Sequence, residues 1–157
     1  MTSTASSNRW LTLLFQSTSD TTVWFQVALT ILRVVVSFFM IHNGLDKLAD
    51  VDGFATNVVA NGMGLPFPVF LTYCSAYAEI IGSILLILGL LSRPAALSLF
   101  FTMAMAIYFH LKVDGLQIGS FETATLYACA FLFFLVNGGG QYSLDALISK
   151  QLNGSND

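Results

Sequence analysis

Residues 22–46 read TVWFQVALTILRVVVSFFMIHNGLD, an apolar run in which Arg33 is the one full charge before the closing Asp46. At 1.5 Å per residue, a helix of that length crosses the hydrocarbon core of a bilayer, about 30 Å thick. Three further stretches, 67–91, 94–111 and 118–137, read the same way, the last two near the short limit for a span. Breakers separate them: DVDGFATNVVANGMGLPFP at 50–68, the Ser92-Arg93-Pro94 turn, and KVDGLQIGS at 112–120. The expected fold is all-α, an integral membrane bundle of four transmembrane helices.

Composition supports lipid as the solvent. Of 157 residues, 55% are hydrophobic and 10% charged, whereas a soluble domain carries about 25% charged residues. Fourteen Phe and a mean hydropathy of +0.74 belong to a chain that would aggregate in water. The net charge of −3 is small and the carboxylates are scattered, which excludes a nucleic-acid-binding surface. One domain is expected: a tail or interfacial segment over 1–21, the four spans over 22–137, and a C-terminal tail over 138–157.

In the first segment Trp10, Leu11, Leu14 and Phe15 suit an interfacial helix over 9–15, with a plain tail as the alternative, and no cleavable signal is expected. In the last, Ser143 is expected to cap a short amphipathic helix, SLDALISKQL, after Gly138-Gly139-Gly140 stops the fourth span. Four spans place both termini on one side, with Arg9, Arg93 and Lys150 there and Lys47 and Lys112 opposite. The positive-inside rule then gives cytoplasmic termini, in a bacterial plasma (inner) membrane.

Arg33 and Glu79 are charges deep in apolar spans, and each needs a partner. Arg33 precedes Asp46 by thirteen residues and Glu79 follows Pro66 by thirteen, so both fall about 20 Å from one membrane face. They are expected to pair. Helical geometry puts Gln26, Thr30, Ser37 and Gly44 on the Arg33 face, and Thr72, Ser75, Ala76, Gly82 and Ser83 on the Glu79 face. Small and polar faces of this kind pack inward. Such a pair fixes helix register, or forms part of a proton or substrate path.

A second polar group gathers toward the end bearing the longer loops. Asn43, Lys47, Tyr73, His110 and Glu122 all lie near that face and are candidates for binding a polar headgroup, with Lys47 and Glu122 as a clamp above the Arg33–Glu79 floor. The opposite end offers little beyond Arg93. His42 is turned away from the Arg33 face, which opposes a haem between His42 and His110. Cys74 is expected to look outward and Cys129 inward, so no disulfide joins them. No metal-ligand spacing, Gly-rich phosphate loop or paired redox cysteines are found, and no catalytic residue or intrinsic cofactor is assigned.

Four segments together resemble the DoxX family of membrane proteins. LRVVVSFFMIHNGLDKL at 32–48 is similar to its opening helix, with Arg33, His42, Gly44 and Lys47 in place. AEIIGSILLILGLLSR at 78–93 resembles the second helix, Glu122 with Leu126-Tyr127 the start of the last span, and GGGQYSLDAL at 138–147 the closing signature. Gln141 stands where a basic residue is commoner. The resemblance implies the four-helix fold and, more loosely, an oxidoreductase role as a membrane subunit in quinone- or thiol-linked redox chemistry.

Fold alone does not carry function. The leading expectation is a subunit that binds quinone beside a cofactor-bearing redox partner. The alternatives are a non-catalytic protein that binds or stabilises other membrane proteins, or a small transporter or proton path. The expected partners are the lipid bilayer, other membrane or redox proteins and a second copy of the chain.

Overall fold

The computed structural model describes residues 22–154, so the candidate interfacial helix at 9–15 lies outside the described residues. Four long helices dominate: α1 (Val23–Ala49), α3 (Pro68–Leu88), α4 (Ser92–Val113) and α5 (Ile118–Asn137). Each is long and apolar enough to cross a membrane. A short helix α2 (Val51–Phe54) and a π-helical segment (Ala55–Met63) lie between α1 and α3, and α6 (Leu144–Gly154) follows α5. No strand occurs among the described residues.

Consecutive spans run antiparallel, with α1 packed on α3, α3 on α4 and α4 on α5, while α1 and α5 touch sparingly. Leu29, Met40, Leu86, Leu99, Phe131 and Phe134 form the centre of the core. Trp24, Phe38, Phe70, Phe101 and Leu126 are exposed on the outside, as lipid-facing side chains are. In lipid there is no hydrophobic drive between helices, so close approach depends on small residues. Gly44 supplies it for α1 and α3: a Cβ there would sit 2.7 Å from Ile80 and 3.0 Å from the Ala76 carbonyl.

Three stretches depart from the sequence expectation. The 50–68 stretch is not an irregular linker: Asp50 caps α2 by accepting from the Gly53 amide at 2.9 Å, and the chain stays helical to Met63 before Gly64 turns it in the left-handed region. Its Gly and Asn residues disguise a helix held by tertiary contacts.

The turn between α3 and α4 falls at Gly89-Leu90-Leu91, not at Ser92-Arg93-Pro94. Gly89 closes α3 at φ +67°, with the Leu90 amide on the Leu85 carbonyl and the Gly89 amide on that of Leu86. Helix α4 then starts early because a distant carboxylate caps it: Asp145 accepts from the Leu91 and Ser92 amides at 2.8 Å each.

The end opposite the longer loops is therefore far from featureless. The glycine-rich turn after α5 is drawn into the bundle. Arg33 donates to the carbonyls of Gly139 and, at 2.8 Å, Tyr142, while the Gln26 amide oxygen accepts from the Gln141 amide at 2.7 Å. Ser143 accepts from the Ala146 amide at 3.2 Å, the expected cap of the last helix. Asp145 is buried close enough to the guanidinium to interact with it electrostatically.

Candidate functional site: a polar-floored cavity under the π-helical segment

Arg33 and Glu79 do not pair. Glu79 binds Lys47, with Nζ 2.5 Å from Oε2, and Arg33 binds backbone carbonyls at the other end of the bundle. The expectation failed on depth. It equated the end of the first span with the start of the second, whereas α1 runs on to Ala49 and a helical excursion follows before α3 begins. Gly44 consequently lies against Ala76 and Glu79, and Arg33 against Gly89. Eleven residues separate Arg33 from Gly44, so the two charges sit about 15 Å apart along the bundle. The faces were read correctly: Gln26, Ser37 and Gly44 are buried on α1, and Thr72, Ala76, Gly82 and Ser83 on α3.

Glu79 is 1% exposed, with Lys47 as its ion-pair partner and Ser75 and Thr102 beside it in the cavity lining; the Thr102 hydroxyl donates to the Leu99 carbonyl at 2.9 Å. Lys47 reaches it from the last turn of α1, with its ammonium also 5.3 Å from the centroid of the Phe54 ring. A buried carboxylate paired with an ammonium has the partner that such depth requires.

This cluster forms one wall of a cavity of about 680 Å³ between α3 and α4, roofed by the π-helical segment. The size suits a small organic ligand. Phe54, Val59, Met63, Phe101, Met105 and Phe109 make its sides apolar, and His110 stands at the end bearing the loops. Cys74 and Phe101 also line it and are exposed on the outer flank of the bundle, so the cavity reaches the lipid-facing surface. Lys112 donates to the Met63 carbonyl at 2.8 Å, holding the end of the roof to α4. π-Helical turns recur at functional sites.

Of the five candidate headgroup residues, Lys47 and His110 line this cavity. His110 Nδ1 lies 2.9 Å from Asp114 Oδ2, and this hydrogen bond holds the Asp114 carboxyl below its ordinary pKa. The other three are placed elsewhere. Asn43 is half-buried with its amide 3.8 Å from the Met40 sulfur, Tyr73 is exposed and stacks on Tyr77 at 6.3 Å, and Glu122 is exposed on α5. Lys47 and Glu122 therefore form no clamp; Glu79 takes the place given to Glu122.

Cys129 is exposed, not inward-facing, and both cysteines are free. Ser75 and Thr102 join the site without having been singled out for it. For Thr102 the signal was a hydroxyl amid the apolar run of α4. Among the described residues no group of three or more His, Cys, Asp or Glu is arranged to hold a metal ion.

Four apolar helices and a cavity opening on their lipid-facing flank define an integral membrane protein with an intramembrane cavity. The DoxX family profile matches residues 28–111, more than half of the chain, and the protein belongs to that family. A Haemophilus influenzae protein described only as uncharacterized is 37% identical over 129 residues, covering 78% of this chain and 92% of its own. The Escherichia coli protein named inner membrane protein YphA is 30% identical over 126 residues, covering 76% of this chain and 89% of its own. A membrane protein of Mycobacterium tuberculosis is 28% identical over 133 residues, covering 76% and 80%. No solved structure matches the chain.

Proposed function

We propose that the protein is the quinone-binding membrane subunit of a redox system, lying in a bacterial plasma membrane with cytoplasmic termini, beside a partner that carries the electron-donating cofactor. The observation that carries this reading is the Lys47–Glu79 pair set into the wall of a cavity whose sides are mainly Phe, Met and Val. The lining fits a quinone: the Lys47 ammonium for a carbonyl oxygen, with Phe and Met walls for the ring. A quinone in this site would supply two-electron, two-proton acceptor chemistry.

The chain's own residues then have separable roles. Lys47 is placed to donate a hydrogen bond, and a proton, to a carbonyl oxygen. Glu79 holds that ammonium in position. Ser75 and Thr102 give the carboxylate polar neighbours, and His110 with Asp114 gives the cavity a proton-exchanging group at its loop-bearing end. The roof over Phe54 and Met63 keeps bulk water from the pair.

The test is to purify the protein with its native lipid, extract it and assay for quinone, then repeat with Lys47→Met. Wild-type protein is expected to retain quinone and the variant to lose it. Retention of none by wild type, with no uptake of added ubiquinone or menaquinone, would sink the reading.

A further inference from the structure

A second, shallower groove of about 290 Å³ lies between α3 and α4, farther from the loop-bearing end. It shares Ala78 and Ser98 with the cavity, so the two adjoin end to end. Both residues at the junction are small. Beyond them Tyr77, Ile81 and Leu85 on one side face Leu91, Pro94 and Ala95 on the other, with no charged residue in the lining. From Ala78 to Leu85 is seven residues, so the groove extends about 10 Å along the bundle toward the opposite face.

We infer that the cavity and the α3–α4 groove form one elongated site, the groove taking the hydrocarbon chain of an amphiphile whose ring occupies the cavity. The identity of the ring rests on the quinone reading; the tail subsite rests on the groove's adjoining the cavity at Ala78 and Ser98. Three features agree in direction. The polar end is at Lys47–Glu79, the groove beyond the junction carries no charge, and the flank at Cys74 and Phe101 is exposed to lipid. A membrane-dissolved molecule can therefore slide in sideways from the bilayer, with its chain remaining at the lipid-facing surface. A water-soluble ligand would have no use for the groove. The substrate class is thus a long-chain membrane amphiphile rather than a short soluble quinone or a free thiol.

The test uses two photoreactive probes with one tail carrying a diazirine near its end, one with a benzoquinone head and one with a plain hydroxyl head. Each is added to full-length protein in phosphatidylcholine vesicles, and cross-links are mapped by mass spectrometry. The quinone probe is expected to label 77–85 and 91–98 selectively, with loss of that labelling when unlabelled long-chain quinone competes and in Ala78→Phe or Ser98→Phe. Label spread evenly over the outer faces of α1, α3, α4 and α5 would overturn the tail subsite, whether or not quinone is retained on purification. Selective groove labelling by both heads alike, without competition by quinone, would keep the tail subsite and remove the quinone reading. The wild-type map decides the matter even if a junction variant fails to fold.

Discussion

Lys47 reaches from the last turn of α1 to Glu79 in the middle of α3, closing a 2.5 Å ion pair with the Glu79 side chain 1% and the Lys47 side chain 14% exposed. A pair this deep binds the two helices in one register, because neither charge has water to fall back on. It also explains why Gly44 lies one turn before Lys47: the helices must approach closely there for the side chains to meet.

Breaking the pair from one side should therefore be severe. Glu79→Ala is expected to destabilise the folded protein by about 3–5 kcal/mol, and Glu79→Gln by less, since an amide still accepts from the ammonium. Lys47→Met combined with Glu79→Met should recover much of the loss. Thermal unfolding in mild detergent measures all three. Equal, wild-type stability of the single variants would show that the pair does not form.

At the other end, Asp145 accepts from two backbone amides and lies near Arg33, which itself holds the Gly139 and Tyr142 carbonyls. Asp145→Ala is expected to cost about 1.5–3 kcal/mol, in the range for hydrogen bonds to charged groups, and Asp145→Asn less. Arg33→Lys should also destabilise, because one ammonium cannot reproduce a planar fork aimed at two carbonyls. The readout is protease sensitivity of the segment after α5, which should rise in each variant while quinone retention persists wherever the protein folds.

Gly139→Ala and Gly119→Ala make a matched pair. A Cβ at Gly139 would lie 2.5 Å from Ser92 Oγ and 2.8 Å from Ser143 Cβ, whereas one at Gly119 meets nothing within 4 Å. The first substitution is expected to cost about 1–3 kcal/mol as an overpacked site. The second, in the first turn of α5, should be neutral or stabilise by up to about 1 kcal/mol. Melting temperatures moving together in both variants would contradict the packing at the turn.

Ser37 and Ser83 are fully buried on α1 and α3, and neither hydroxyl has a hydrogen-bond partner among the described residues. Alanine at either position removes an unsatisfied polar atom and preserves the small volume, so stability is expected to hold or to rise by about 1 kcal/mol. A marked loss in either variant would mean that the hydroxyl has a bound partner such as a buried water.

The sequence by itself determined the solvent and the spans. Long apolar runs bounded by Gly and Pro can satisfy their backbone groups in lipid as helices, so α1, α3, α4 and α5 were legible from hydropathy, and α5 with its final bounds. The inward faces were legible for the same reason: burial repeats with the helical period, which places Gln26, Arg33, Ser37 and Gly44 on one side.

Only the tertiary structure decided which charge meets which. Axial register between two antiparallel helices depends on everything that joins them. The 50–68 stretch, with Asn, Gly and Pro, carried no sign that it would coil into α2 and a π-helical roof, because contacts with Lys47, Phe109 and Lys112 hold it there. That excursion sets Glu79 against Lys47, leaves Arg33 to the glycine turn, and encloses the cavity. A local pattern can tell which face of a helix is buried, but relative depth is a property of the whole packed chain.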